Sequence, residues 1–541
     1  MPRPSADPDQ TYTYVIVGAG SAGCVLANRL SADPRNRVLL IEAGGHGNHL
    51  WVHIPVGYLY CMGNPKMDWR FTTEPVPGLN GRSLNYPRGR LLGGSSAING
   101  MIYMRGQAAD YDHWRQLGLA GWSWDDVLPY FRKSEDYAPG ADDMHGAGGE
   151  WRVERQRLRW PILDAVRDAC VEVGIPKTDD FNRGDNFGVS YFMVNQRRGI
   201  RVTAAKAFLN PVRHRKNLTV QTGAVVERIL FEGRKASGLL LAAPGEQRTV
   251  RCDGEIILSA GAIGSPHLLQ RSGIGPGALL QDAGIGVVHQ SEGVGENLQD
   301  HLQLRLIYKV ANTVTLNQRA GNLFGRAKIG IEYALNRSGP MSMAPSQLGI
   351  FAKSDPAFAT ANLQYHVQPL SLDKFGEPLH SFPGLTMSVC NLRPEARGHV
   401  RLRAVNPAGP PSIQPNYLST DADRRVAVDA IRLTRRLVAT QAMQPFEPVE
   451  YKPGAECGSE EALAAAAGDI GTTIFHPVGT CRMGVDEKSV VDGQLRVRGV
   501  SGLRVADASV MPTITSGNTN SPTIMIAEKA SDMILNTHRA H

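Results

Sequence analysis

The sequence predicts a mixed α/β protein, α+β overall. One part opens with a βαβ unit of the dinucleotide-binding type, and the other is built on an antiparallel sheet. Three observations carry this. A strand, a glycine turn and a helix run from Tyr14 to Leu30 with a second strand close behind; a second glycine-rich stretch lies between Gly89 and Gly100; and from about residue 309 to 467 the chain alternates apolar and polar residues between proline-rich turns. With 541 residues, 42% hydrophobic and 20% charged, the chain holds about two to four folding units, which excludes a small binding module and a disordered chain.

Tyr14-Val15-Ile16-Val17 is apolar and β-branched, as a buried strand requires. Gly18-Ala19-Gly20-Ser21-Ala22-Gly23 follows as a G-x-G-x-x-G turn, and Cys24 to Leu30 reads as helix, ended by Asp33-Pro34. Val38-Leu39-Leu40-Ile41 is the second strand and stops at Glu42. In such a βαβ unit the first glycine permits the tight turn and the second lets the backbone approach a pyrophosphate. The third lets helix and strand pack closely, while the helix N-terminus offers free N–H donors to the phosphates. Glu42, about 20 residues beyond Gly23, can accept from both adenosine ribose hydroxyls and repels a 2′-phosphate, leaving FAD or NAD and disfavouring NADP.

The stretch from Gly89 through Gly93-Gly94-Ser95-Ser96-Ala97-Ile98-Asn99 to Gly100 is more than a nicotinamide domain needs, and suits the longer FAD. Near the C-terminus, Leu503 to Ala506 reads as a short strand ending in Asp507-Ala508, where a carboxylate meets a ribityl chain. Ser521-Pro522 is the expected opening of a last helix, whose positive end faces the site. In the middle, Leu363 to Gln368 and Gly398 to Leu402 alternate as strands, and Ala462 to Gly468 is alanine-rich.

The charge balance, 58 Lys and Arg against 51 Asp and Glu, gives a mild +7 with no basic run interleaved with aromatics, so nucleic acid is not an expected partner. Seven cysteines without a C-x-x-C pair argue against a zinc site and a disulfide framework; no metal is expected. Met1 to Gln10 lacks an apolar signal core, and no apolar run reaches the roughly 18 residues of a membrane span; a cytoplasmic location without a transmembrane segment is expected.

These segments, with two longer ones, resemble the glucose-methanol-choline oxidoreductases, FAD-dependent enzymes acting on alcohols. One family signature is matched from Gly89 through Gly106 to Asp112, and another from Gly261-Ala262-Ile263-Gly264-Ser265-Pro266 to Gly275. Gly293 to His301 is similar to the segment where the chain leaves the flavin domain, so His301 reads as a structural residue at an interdomain joint. The resemblance implies a discontinuous, doubly wound FAD-binding domain at 1–158, 200–308 and 468–541, and an antiparallel-sheet substrate domain at 159–199 and 309–467.

It also implies the site. The cofactor-binding residues would be Gly18, Gly20, Ser21, Ala22, Gly23, Glu42 and Ala43, then Arg90, Gly93, Gly94, Ser95, Asn99, Gly100, Met101 and Ile102, then Val226 and Ala260, and finally Asp507, Ala508, Asn520 and Thr523. Phe475-His476-Pro477-Val478-Gly479-Thr480 matches the active-site segment, with His476 as catalytic base, its ordinary pKa near 6.5 suiting that work, and Phe475 at the substrate. Asn520, before the last helix, would be its partner, an amide that bonds the alcohol oxygen without competing for the proton.

Some choline oxidases carry a flavin-linked histidine where this chain has Ile98, so FAD is expected to be held non-covalently. Phe475 replaces a tyrosine of their trimethylammonium cage, which favours an apolar or aromatic primary alcohol over choline. The electron acceptor, whether dioxygen, a quinone or another, stays open. The alternative functions are an oxygen-using alcohol oxidase and a hydroxynitrile-lyase-like enzyme with structural FAD.

Overall fold

The structure, a computed structural model, describes residues 11–243, 246–374 and 376–539; the leader Met1–Gln10, and the signal expectation placed on it, lie outside the described residues. Each of two seven-stranded sheets is assembled from distant parts of the chain.

In the first sheet the N-terminal strand Thr11–Val17 lies between Val38–Glu42 and the long strand Glu246–Leu258, parallel to both. Leu218–Thr222 extends it beyond Val38–Glu42, and Leu503–Val505 joins the far half of Glu246–Leu258, again in parallel. The near half of that strand pairs antiparallel with Lys235–Ala243, which pairs in turn with Val225–Glu232. Val15, Ile16, Leu39, Leu40, Ile256 and Ile257 are fully buried, as expected of a sheet covered on both faces.

Helix Ser21–Leu30 packs beside the C-terminal helix Asn520–Arg539, and the Arg29 guanidinium clamps them by donating to both oxygens of Glu528 at 2.9 and 2.6 Å. The start of each helix lines the same cavity. Close packing here depends on glycine: a Cβ on Gly23 would lie 1.9 Å from the Gly18 carbonyl oxygen.

The second sheet runs in the order Val449–Lys452, Leu302–Lys309, Gly384–Asn391, Leu363–Gln368, Leu348–Ala352, Gly188–Tyr191, all antiparallel, with Gly471–Thr473 also against Leu302–Lys309. Two strands therefore fall outside the division drawn from the sequence, since Leu302–Lys309 and Gly471–Thr473 were both expected on the flavin side. One face, with Leu304, Leu306, Leu363, Tyr365, Val367, Met387 and Val389, packs on the amphipathic helices Pro161–Glu172 and Asp421–Val438 to make a second core. These helices and the alanine-rich Glu460–Ile470, capped by the Ser459 hydroxyl accepting from Ala462 N–H at 3.2 Å, make the middle of the chain more helical than its alternation suggested. Gly398 to Leu402 contributes only His399–Arg401, in a separate two-stranded ribbon with Ser412–Gln414.

Among the described residues, no helix is long and apolar enough to cross a membrane, and no three His, Cys, Asp or Glu side chains group to hold a metal. All seven cysteines are free thiols.

Candidate active site

A cavity of about 470 Å³ runs between the two sheets. Of the expected cofactor residues, all but Gly23, Arg90 and Gly93 line it, together with Phe475 and His476. Gly23 acts through helix packing. Gly93 sits behind the wall at φ +96°, its N–H donating to Ala19 carbonyl at 2.8 Å. The Arg90 guanidinium lies 4.8 Å over the ring of Trp69, outside the cavity.

At one end Glu42 is buried, and its two oxygens accept from Ala19 N–H at 3.0 Å and Gly44 N–H at 2.8 Å. Burial raises its pKa to about 7, against the opposing pull of those two N–H groups and Arg90. Each oxygen keeps a lone pair for a ribose hydroxyl. Next come the glycines: a Cβ on Gly94 would lie 2.6 Å from Gly20 Cα, and one on Gly18 2.5 Å from Ser259 carbonyl. Two glycine-rich backbones thus meet where the helix Ser21–Leu30 begins, a cradle of N–H groups suited to a pyrophosphate. The Asp507 carboxylate accepts from Gly261 N–H at 2.8 Å, Ser265 hydroxyl at 2.6 Å and Ser509 N–H at 2.8 Å, which holds it at the cavity wall. Ile98 presents an alkyl side chain to the cavity, with no atom able to bond a flavin.

Asn520 is placed differently from the expectation. Its Oδ1 accepts from the Ser21 hydroxyl at 2.6 Å, and its buried Nδ2 has no protein partner. It does not pair with His476, because the last helix already begins at Asn520 and turns that side chain toward the start of the other helix. The side chain facing His476 is Asn518, two residues earlier, whose Nδ2 stands 3.0 Å from His476 Nε2. Asn518 Oδ1 accepts from Gln364 Nε2 at 3.2 Å.

Behind His476 lies His301, with the two Nδ1 atoms 3.1 Å apart and His301 Nε2 3.1 Å from Leu392 carbonyl. His301 opens the second sheet, as a joint residue would, yet it also touches the base expected from the sequence. Only the nearness of Asp300-His301 to the end of a glycine segment hinted at this. The contact spans 175 residues of chain, so local pattern could not reveal it.

Asp300 fixes the loop. Its carboxylate accepts from His476 N–H at 2.7 Å, Tyr86 hydroxyl at 2.7 Å, Thr473 hydroxyl at 2.6 Å and the Tyr417 hydroxyl. Phe475 is held at φ +70°, a left-handed conformation costing roughly 1–2 kcal/mol for such a residue. Its N–H donates to Thr473 Oγ1 at 2.8 Å and its carbonyl accepts from the Arg88 guanidinium at 2.8 Å, contacts that over-determine the strained turn. Burial drives the His476 pKa well below its ordinary value, with His301, His366 and Arg88 adding to the effect, and it pulls His301 down to about 4.

Models of the GMC oxidoreductase family match residues 12–303 and 394–527. The chain is 41% identical over 532 residues to an oxygen-dependent choline dehydrogenase of Photobacterium profundum, covering 97% of this chain and 93% of that protein. It is also 41% identical over 528 residues to an alcohol dehydrogenase [acceptor] of Pseudomonas putida, covering 97% and 96%. Among solved structures, pyridoxine 4-oxidase from Mesorbium loti superposes with a TM-score of 0.87 at 33% identity, covering 98% of this chain and all of that one. With a fold shared over nearly its whole length and a cavity whose glycine-lined walls fit FAD, the chain belongs to the GMC oxidoreductases, FAD-dependent enzymes that carry out oxidations of the alcohol type.

Proposed function

We propose that this enzyme oxidises a neutral primary alcohol to its aldehyde, with His476 as the base that takes the hydroxyl proton. The observation that carries the reading is the chain of contacts from Leu392 carbonyl through His301 and His476 to Asn518. A carbonyl can only accept, so His301 Nε2 carries the proton and donates. In the neutral ring this leaves His301 Nδ1 as an acceptor, and His476 Nδ1 must then be the donor. His476 Nε2 is left with the lone pair, which accepts from Asn518 Nδ2 in this structure and is the form a base requires. Gln364 orients the Asn518 amide so that its N–H₂ faces the same spot, where it can donate to the alcohol oxygen while His476 accepts the alcohol proton.

FAD, when bound, supplies the acceptor for the hydride leaving the carbinol carbon. We infer that it is held without a covalent link, since Ile98 offers none, and that acid precipitation releases it from the protein. The helix starting at Asn520 directs its positive end into the cavity, placing favourable potential where negative charge develops.

The two relatives are equally identical to the chain, so identity does not choose between choline and other alcohols. Electrostatics favours the neutral alcohol. Among the described residues the cavity is lined by two carboxylates, Glu42 and Asp507, both already engaged by N–H or hydroxyl donors. A trimethylammonium group would find no free counter-charge; Tyr58, Trp69, Phe71 and Phe475 line the cavity, and each aromatic face it met would offer only about 0.5–2 kcal/mol. The test is anaerobic flavin reduction by choline and by benzyl alcohol, followed by steady-state rates with one artificial acceptor. A kcat/KM for choline equal to or above that for benzyl alcohol overturns the neutral-alcohol reading. Failure of every alcohol to bleach the flavin favours the lyase alternative, and rapid reoxidation on admitting air identifies dioxygen as an acceptor.

A further inference from the structure

We propose that the polar face of the antiparallel sheet is a recognition subsite for a second hydroxyl group of the substrate, so that the substrate class is a neutral diol or polyol rather than a simple apolar alcohol. This rests on the alcohol oxidation proposed above and names its substrate more closely.

Side chains on a strand alternate between faces, and across three adjacent strands here the pattern is apolar against polar, broken on the polar face by Ile307 beside Thr386 and by Cys390. The apolar positions pack on the helices, while Gln303, Gln364, His366, Gln368, Thr386 and Ser388 occupy the other face. Register makes these polar positions rows across the sheet: Gln303 and Gln364 both pair with Cys390, Arg305 and His366 with Ser388, and Gln368 with Thr386. The polar face of an antiparallel sheet ordinarily meets water. This one does not, for Gln364 and Ser388 are 0% exposed, His366 2%, Gln303 3% and Gln368 4%.

A buried polar face calls for hydrogen-bond partners, and two side chains that line the cavity lack them. Gln368 donates from Nε2 to Ser346 Oγ at 3.2 Å, but its Oε1 has no partner, and His366 Nε2 has none either. Gln303 and Ser346 line the same wall. The amide oxygen of Gln368 needs a donor, and a neutral imidazole beside it can supply or receive one bond. A hydroxyl meets both requirements because it donates and accepts at once. An alkyl chain leaves Oε1 dry, and an ammonium cannot accept and finds Arg305 as the formal charge on this face. The carbinol being oxidised is already served by His476 and Asn518, so the hydroxyl that answers Gln368 and His366 is another one.

The experiment compares kcat/KM for linear terminal diols with that for mono-alcohols of equal carbon number, using one artificial acceptor, in the FAD-loaded enzyme and in Gln368→Leu. The parent should prefer its best diol by about tenfold, the scale of one well-made hydrogen bond, and Gln368→Leu should bring the ratio close to one. The flavin absorbance of the variant reports that its site is intact, and His366→Phe, also expected to lower the ratio, gives a second route should Gln368→Leu fail to fold. Equal kcat/KM for diols and mono-alcohols in the parent means that the face holds only water and overturns this inference alone. A preference unchanged in both variants does the same, as does a stronger preference for an ω-hydroxy acid, which would assign the face to Arg305 and an anion. If no alcohol reduces the flavin, the alcohol reading falls and this inference with it.

Discussion

Replacing His301 by phenylalanine tests the tautomer argument without touching the base itself. The two Nδ1 atoms lie 3.1 Å apart between buried rings, and the tautomers proposed above make His301 Nδ1 the acceptor for His476 Nδ1–H. Phenylalanine fills similar volume but accepts nothing, so the His476 donor is stranded in a dry site at a cost of about 1–3 kcal/mol. The ring can escape that cost only by moving its proton to Nε2, which destroys the lone pair that takes the alcohol proton. Either route raises the barrier, and at about 1.4 kcal/mol per factor of ten the limiting rate of flavin reduction should fall by about 5- to 140-fold. His301→Gln is the decisive companion. Its amide oxygen can accept from His476 while its N–H₂ donates to Leu392 carbonyl, preserving the polarity of the relay, so most of the rate should return. The assay is anaerobic rapid mixing of FAD-loaded enzyme with alcohol, following loss of the oxidised flavin band. A phenylalanine variant that holds FAD and reduces it at the parental rate refutes the reasoning; a glutamine variant as slow as phenylalanine shows that ring packing, not hydrogen-bond polarity, is what His301 supplies.

His476→Ala should slow flavin reduction by roughly a hundredfold or more while FAD stays bound, because the loop is anchored through backbone groups to Asp300; the flavin content and reduction rate of the purified variant check both halves. Asn518→Ala should lower the reduction rate about tenfold, whereas Asn520→Ala, at the junction with Ser21, should lower FAD retention and leave the rate of the loaded enzyme nearly unchanged; the opposite pattern would return the partner role to Asn520. Because burial lowers the His476 pKa, the base remains deprotonated below pH 6.5, and the acid limb of the reduction rate should lie under that value; a limb at or above pH 6.5 contradicts the buried base. Stability shares the sign. His301 and His267 are held near 4 and His366 near 3, so the unfolded chain binds protons first. The stability these groups contribute is complete above pH 6.5 and drains as pH falls toward 4, and for His366 toward 3, visible as a dropping thermal midpoint.

The first βαβ unit was legible because its constraints are local. Gly18 turns at φ +98°, a conformation glycine takes freely, and a Cβ on Gly23 would collide with the Gly18 carbonyl inside the same unit. Loop positions were less legible. Asn518 and Asn520 stand two residues apart at the entry to the last helix, and which of them faces His476 depends on where that helix begins; with Asn520 as its first residue, that side chain meets Ser21 instead. His301 was legible as the end of a segment but not as the neighbour of a histidine far along the chain, since nothing in local pattern reports a contact of that range.

The alternation of Leu363 to Gln368 shows the same limit from the other side. Leu363, Gln364, Tyr365, His366, Val367 and Gln368 announce a strand, and the usual inference sends the apolar residues inward and the polar ones to water. Here both sets are buried. The helices Pro161–Glu172 and Asp421–Val438 cover the apolar side, and the flavin-side half of the molecule closes over the polar side, leaving the cavity between. A sequence states that a residue is polar; it does not state what the residue will meet. The fold makes that choice, and it turns three polar residues of one strand toward different tasks: Gln364 toward Asn518, and His366 and Gln368 toward the cavity with bonds still to be made. In the proposed reaction the reacting end lies at His476. The other end is written in positions that elsewhere would be ordinary surface, and for that reason substrate choice in this protein has to be read from the buried side of a sheet.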